Sequence, residues 1–322
     1  MTKDEELEQL RQENATLRAQ VALLSDRITV LEAQLAKDSH NSHLPPSSDR
    51  FHRQPKSLRK RSGKQPGGQA GHTGNSLKLS ETPDLVINLA AYTAVDRAES
   101  QPEAAWAVNC AGAAHIAAAC AETATPLIHL STDYVFDGRK AGSYREDDAV
   151  EPLGVYGRSK EAGERAIRVA LSDHLILRTA WVFGAFGANF VKTMLRLATE
   201  RPALRVVADQ RGCPTAAGDI AAALIAVAGQ IESGEVSWGT YHFVGDEAIS
   251  WHGFAEAILD TAAPRLASRP RVEAITTDQY PTPARRPMNS VLDCRKIGSA
   301  FGISCPPWRT ALAGVIRELL DS

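Results

Sequence analysis

The strongest constraint on this chain is an alternation that begins at Asp84. Four apolar, β-rich runs stand in order: DLVINLAAY (84–92), PLIHLSTDYVF (126–136), HLILRTAWVFG (174–184) and LRVVADQ (204–210). Between them lie helical stretches, among them the Ala-rich segments 103–122 and 159–171. Strands alternating with helices build βαβ units and a parallel sheet. Strands that are apolar along nearly their whole length suit a sheet covered on both faces. Residues 84–322 are therefore predicted to form an α/β domain.

The preceding residues have a different texture. Leu7, Asn14, Val21, Ile28 and Leu35 recur every seven residues, with Leu10, Leu17, Leu24 and Leu31 offset by three. These are the a and d positions of a coiled coil. β-branched residues at a with Leu at d favour two parallel strands, and a polar Asn14 at an a site fixes register. Residues 1–37 are thus predicted to be a coiled-coil helix that makes a homodimer through 7–35. Residues 38–83 are rich in Pro, Gly, Ser and basic side chains and show no periodicity, the pattern of a disordered linker. Residues 38–80 hold 8 Lys+Arg against 2 Asp+Glu, a local +6 in a chain whose net charge is −2. The basic run 50–64 could touch phosphates, which amounts to weak, non-specific and salt-sensitive nucleic-acid contact.

At 322 residues and 43% apolar, the chain can bury one large or two medium cores. Its five cysteines form no CxxC pair and are odd in number, which argues against a disulfide framework and for a reducing, cytoplasmic setting. The acidic start MTKDEELEQL is no signal peptide. No uninterrupted apolar run approaches the length of a membrane span, so no membrane association is expected. Four histidines in the basic segment, His40, His43, His52 and His72, lack cysteines nearby, and no metal site is predicted there.

The sharpest chemical signal is Tyr156-Gly-Arg-Ser-Lys160. Tyr and Lys four apart share one helix face. A free phenol has a pKa of about 10, and a nearby ammonium and a cationic nicotinamide both favour the phenolate. Lowering that value by about 3 units takes roughly 4 kcal/mol of differential interaction. A Tyr tuned in this way can protonate the oxygen that forms as a carbonyl accepts hydride. About 25 residues upstream, Ser131-Thr132-Asp133-Tyr134 follows an apolar strand. Open α/β sheets place ligands at such carboxyl ends, where Thr132 could hydrogen-bond a substrate carbonyl. Small residues after Asn88 let a cofactor approach the backbone. The charges on Glu161, Glu164 and Arg165 are read as a solvated helix face. Trp106 and Trp251 are read as packing, Cys110 and Cys120 as small core residues, and Cys213 as an unreactive loop thiol.

NLAAYTAVDRAE, HLSTDYVFDG, PLGVYGRSKEAGE and LRTAWVFG resemble the extended short-chain dehydrogenases. DQRGCPT (209–215), YHFVG (241–245) and RPMNSVLD (286–293) narrow the resemblance to the dTDP-4-dehydrorhamnose reductases. The resemblance implies a Rossmann-type parallel sheet with a small C-terminal substrate-binding part. It implies NAD(P)H-dependent reduction of the C4 carbonyl of dTDP-4-dehydro-L-rhamnose. Tyr156 would be the proton donor, with Lys160 its electrostatic partner and a holder of the nicotinamide ribose. Thr132 and Asp133 would contact the sugar, Trp181 would lie against it, and Ala90, Ala91 and Tyr92 would line the NADPH or NADH. Mg2+ is an optional further cofactor in the resembled family.

That family should start with a strand and a Gly-rich turn that seats a pyrophosphate on a helix N-terminus. The first recognisable strand, 85–89, matches the family's fourth, so the domain is expected to be N-terminally truncated. Gly68, Gly71 and Gly74 satisfy GxxGxxG, but no apolar strand precedes them and no apolar helix follows. Strand 85–89 would then be an apolar edge with unpaired backbone groups, and cofactor binding would be weak. Residues 1–80 resemble instead the N-terminus of bacterial insertion-sequence transposases. Two alternatives to the reductase therefore stay open: a transposase-derived dimeric DNA-binding protein with a passenger reductase, or a non-functional fusion.

Overall fold

The computed structural model describes residues 83–321 apart from Glu235. The heptads of 7–35, the basic run of 50–64, the four histidines above and the glycines of 68–74 lie outside the described residues. The chain divides into two units, Met1–Leu77 and Lys78–Ser322, and the described residues all belong to the second.

The first strands and helices of that unit are β1 (Val86–Asn88), α1 (Val95–Ser100), α2 (Pro102–Glu122), β2 (Leu127–Thr132), α3 (Val155–Ala170) and β3 (His174–Thr179). Three later helices and two strands matter most: α4 (Phe190–Glu200), β4 (Ala203–Val207), α5 (Ala217–Glu232), β5 (Gly239–His242) and α6 (Trp251–Ala262). Strand β6 (Arg271–Ile275) and helices α7 (Arg295–Phe301) and α8 (Trp308–Leu320) follow. The main sheet is parallel throughout, in the order β1-β2-β3-β5. Crossover helices supply both covering layers, as the alternation at 84–184 predicts.

Alternate residues of a strand face opposite layers. Ile128, Leu175 and Leu177 face a core shared with Ile220, Leu224 and Val227 of α5. Leu127 and Ile176 face the other way, against Ala113 and Ala117 of α2 and Ile167 of α3. On this second face the apolar pattern gives out toward the carboxyl ends, where Asn88, His129, Ser131 and Arg178 are all buried. They meet Lys160 and Glu164 of α3, which are also buried.

Helix α3 starts at Val155, four residues before the sequence-predicted helix at 159. The reason is a cap from elsewhere: Glu99 of α1 accepts a hydrogen bond from the Val155 N–H at 2.8 Å. The earlier start puts Tyr156 in the first turn, one helical turn from Lys160. Helix α2 contains a π-helical stretch, Ala107–Gly112, within it. By length and composition α2 is apolar enough to cross a membrane, which no uninterrupted run in the sequence suggested. Its alanines make the difference. Ala105, Ala113, Ala117 and Cys120 are buried within the unit.

LRVVADQ does not join the main sheet. As β4 it pairs in parallel with β6, Ala203 opposite Arg271 through Val207 opposite Ile275. Leu204 and Val206 pack with Leu195 of α4, Ile258 of α6 and Leu312 of α8 in a second core. An apolar β-rich run does not specify its partner strand, and here the partner lies far downstream. Strand β1 is paired on one side only among the described residues, and Ile87 and Leu89 are exposed. All five cysteines are free thiols, and burial pushes that of Cys213 up to about 12.

Glu164 overturns its sequence reading as part of a solvated face. It is fully buried and receives Arg178 Nε at 2.9 Å, Arg178 Nη2 at 2.6 Å, Ser131 Oγ at 2.5 Å and Arg168 Nη1 at 3.0 Å. Helical periodicity put a charge on the sheet-facing stripe, and only the sheet reveals the arginine that makes this tolerable. Burial pushes the Glu164 carboxyl up, but the charge and hydrogen bonds of Arg178, helped by Ser131 and Arg168, outweigh it and hold the pKa at about 2.

Removing one partner of such a buried pair leaves an uncompensated charge. Arg178→Met is expected to cost about 3–5 kcal/mol in denaturant titration, and a double Glu164→Leu, Arg178→Met change should recover most of it. Because the folded pKa lies below the ordinary 4.5, the contribution is complete above pH 4.5 and is lost as pH falls through about 2. The stability gap between the wild type and Glu164→Gln should therefore narrow over that window. A gap independent of pH would refute the ion pair's role.

Candidate active site

A cavity of about 420 Å3 opens at the carboxyl ends of β1, β2 and β3. Its wall holds Ala91, Thr132, Asp133, Tyr156, Lys160 and Trp181. Six of the eight residues singled out from the sequence thus meet in one place. Ala90 and Tyr92 are not part of the wall. After β1, Leu89, Ala91 and Thr93 line the cavity while the residues between them do not. The Tyr92 hydroxyl bonds Gln101 Oε1 at 2.8 Å, and the Ala90 N–H is held by Asn88 Oδ1 at 3.0 Å.

Several local devices fix this geometry. Gly157 passes so close to Tyr134 that a Cβ there would stand 2.1 Å from the Tyr134 carbonyl oxygen. The close approach lets the Tyr134 ring meet Tyr156 edge-on, with centroids 5.4 Å apart. Asn109 of α2 clamps the loop after β1, accepting from the Tyr92 N–H at 2.8 Å and donating to the Tyr92 carbonyl at 3.1 Å and to Ser159 Oγ at 3.0 Å. Arg286, from the RPMNSVLD motif, reaches back to pair with Asp96 at 2.8 Å. Trp181 adopts φ +50°, a conformation disfavoured for a bulky residue. Its indole stacks on Trp251 with centroids 3.5 Å apart and planes 8° from parallel. The ring lies over Gly212, where a Cβ would stand 2.5 Å from it.

The electrostatics differ in one respect from the sequence expectation. Burial pushes the Tyr156 phenol up to about 12; the nearby Thr132 hydroxyl pulls down, and the Asp133 carboxyl beside it pushes up. Burial brings Lys160 down to about 8, against the opposing pull of Glu164. The sequence pattern implied a phenol lowered by an ammonium. Instead, the low dielectric moves both groups toward their neutral forms. A neutral phenol at pH 7 is the form that can give up a proton. Burial also raises Asp133 to about 6, against the pull of the nearby Ser290 hydroxyl and of Thr132, whose Oγ1 donates to its Oδ1 at 3.0 Å. One of its carboxylate oxygens, Oδ2, has no partner in the protein.

Sequence reasoning missed His129, Asn88, Asn109 and Ser290. His129, Asn88 and Ser290 lie inside motifs that mark the family and Asn109 lies outside them in helix α2, yet none carries a local signal of its role. Their partners are 31 to 50 residues away for the first three, and only folding brings them together.

Comparison with known proteins agrees with this geometry. The family model described as "RmlD substrate binding domain" matches residues 72–320, and a family of unknown function (DUF6444) matches residues 2–78. The second match sets the N-terminal segment apart from the reductase but gives no transposase identity. The dTDP-4-dehydrorhamnose reductase of Aggregatibacter actinomycetemcomitans is 50% identical over 236 residues, covering 72% of this chain and 80% of the relative. That of Escherichia coli K12 is 43% identical over 247 residues, covering 74% and 81%. Among solved structures, the dTDP-4-dehydrorhamnose reductase of Clostridium acetobutylicum superposes with a TM-score of 0.69 at 35% identity, covering 74% of this chain and 82% of that one. The Bacillus anthracis enzyme, solved in complex with NADP, gives 0.67 at 34% identity, covering 73% and 81%. Across residues 72–320, this chain belongs to the dTDP-4-dehydrorhamnose reductase family.

Proposed function

We propose that this chain reduces the C4 carbonyl of dTDP-4-dehydro-L-rhamnose to dTDP-L-rhamnose, with residues 84–322 as the reductase part. The observation that carries this reading is the convergence of Tyr156, Lys160 and Thr132 in one cavity at the carboxyl ends of a parallel sheet. Family membership points the same way. Tyr156 gives its proton to the carbonyl oxygen, and Thr132 orients that oxygen. Asp133, with one unpartnered oxygen, accepts from a sugar hydroxyl, and the Trp181 indole offers an apolar face to the ring. Lys160 holds the ribose of the cofactor.

The cofactor implied is NADPH or NADH, which when bound supplies the hydride. The wall that includes Ala91, Tyr156 and Lys160 fits its nicotinamide ribose, with Ala90 and Tyr92 supporting from behind the wall. The pyrophosphate end has no Gly-rich strand–turn–helix among the described residues. Cofactor affinity is therefore proposed to be weak in this chain alone. No cluster of three or more His, Cys, Asp or Glu side chains among the described residues could hold a metal, so no step is assigned to Mg2+.

We also infer, from the sequence pattern, that the 7–35 heptads pair two chains in a cytoplasmic homodimer and that 50–64 makes salt-sensitive contact with nucleic acid.

Tyr156→Phe should lower the rate of NADPH oxidation with dTDP-4-dehydrorhamnose by about 10²–10⁴-fold while leaving substrate affinity nearly unchanged. Equal turnover by the variant would remove Tyr156 as proton donor. If the unchanged chain shows no turnover but shifts DNA in a salt-dependent way, the passenger reading gains. Gly212→Ala should push the Trp181 indole out of place, raising KM more than it lowers kcat and changing the tryptophan fluorescence. Replacing Leu17 and Leu24 by Lys should halve the mass seen in sedimentation, whereas an unchanged mass would dismiss the zipper.

A further inference from the structure

Residues 284–290 run as one continuous strap past three of the segments that build the cavity. At its start, Asp96 of α1 accepts from the Ala284 N–H at 3.2 Å and from Arg286 Nη1 and Nη2 at 3.1 and 2.8 Å. In its middle, Pro287 lies over Gly138, in the loop after β2, so closely that a Cβ on the glycine would stand 2.5 Å from the Pro287 Cβ. The Gly138 carbonyl accepts from the Asn289 N–H at 3.1 Å. At its end, Asn289 and Ser290 pair in parallel with Arg211 and Gly212, and Gly212 lies beneath the Trp181 indole.

The first end of the strap is tied to the catalytic helix through α1. Val95, the first residue of α1, lines the cavity. Three residues after Asp96, Glu99 accepts from the Val155 N–H and so caps α3. Ala98 is buried in a small cluster with Tyr156, against which Val95 and Val155 pack. Helix α1 has only six residues, too few to be stable by itself, so its place is set by what holds it on either side. On one side is the start of α3; on the other is the strap. The Asp96–Arg286 pair is partly exposed, at 40% and 24%, which keeps its Coulomb energy small. Its two-pronged contact is directional, however, and fixes geometry as well as charge. The Arg286 guanidinium also holds the Asp96 carboxyl below its ordinary value.

We propose that this strap is a positioning element for the reaction: latched by Asp96 and Arg286, it fixes the Trp181 wall of the cavity relative to the first turn of α3, where Tyr156 sits. Asp96 and Arg286 are positioning residues, and neither lines the cavity. Opening the latch removes one of the two anchors of α1 and lets the proton donor and the sugar wall drift apart. A misplacement of about 1 Å at the reacting atoms can cost on the order of 100-fold in rate. This role rests on the proposed function, since it needs Tyr156 and Trp181 to meet one substrate, but the strap itself can be read without turnover.

Hydrogen exchange in the full-length chain, followed by mass spectrometry, gives that reading. In Asp96→Asn, exchange should quicken by about three- to tenfold not only beside residue 96 but also in 155–158 and in 211–213, while β3 and α6 stay protected. Where the chain turns over, Asp96→Asn and Arg286→Met should each lower kcat by about 10–100-fold and leave KM for NADPH within about twofold. The double variant should be no worse than either single one, because both remove the same pair. Arg286→Lys, which keeps the charge but loses the fork, should fall between the wild type and Arg286→Met. Faster exchange confined to residue 96 and the strap would overturn the proposal, whether or not the chain turns over, as would an unchanged kcat in Asp96→Asn. So would dTDP binding, measured by calorimetry, that weakens in Arg286→Met but tightens in Asp96→Asn, since Arg286 would then be a ligand to the diphosphate and not a latch. Coupled exchange at both distant places with no turnover would leave the strap standing and count against the proposed function alone.

Discussion

A buried polar layer between one face of the sheet and helix α3 is the constraint on which the rest of the site depends. Glu164, Arg178 and Ser131 form one half of it; Lys160, His129 and Asn88 form the other. Charged side chains are rarely buried unless paired, because taking an ion out of water costs several kcal/mol. Here every strand of the interface contributes a partner: Asn88 from β1, His129 and Ser131 from β2, and Arg178 from β3. Helix α3 cannot slide or rotate on the sheet without breaking several of these contacts at once. That fixes the position of Tyr156, which sits only one turn from Lys160.

The layer also explains why the cavity sits where it does. In a parallel sheet the apolar crossover helices cover the middle of the strands, and the carboxyl ends are left for polar work. On this face the change runs along β2 itself: Leu127 packs with alanines, His129 meets Lys160, and Ser131 meets Glu164. At the strand's last residue, Thr132 reaches the cavity. A second, separate core around α4, α6 and α8 carries Trp251, whose stack on Trp181 closes the far wall. The favourable stacking offsets the strained backbone at Trp181, which is of the order of 1–3 kcal/mol for such conformations.

Low dielectric is the common cause of the altered acid–base behaviour. Tyr156, Lys160, Asp133 and His129 all shift toward their neutral forms, because burial penalises charge of either sign. Glu164 moves the other way because Arg178 answers its charge directly. The site therefore combines a fixed ion pair that holds structure with groups whose proton equilibria burial has moved toward neutral pH or away from charge.

Much of this was legible in the sequence. The alternation of apolar runs with Ala-rich stretches determined the parallel α/β sheet, and Tyr156, Lys160 and Thr132 could be picked out by spacing and by their place after a strand. Local pattern carries such information because strand and helix periods are properties of neighbouring residues. Tertiary structure decided the rest. LRVVADQ pairs with β6 rather than the main sheet, since an apolar strand does not encode its partner. Glu164 is buried because Arg178 arrives from β3, and helix α3 begins early because Glu99 arrives from α1. The row from Ala90 through Asn88 and His129 to Lys160 joins segments separated by some 30 to 40 residues. Which polar groups meet there is decided by folding, and no local pattern could have supplied it.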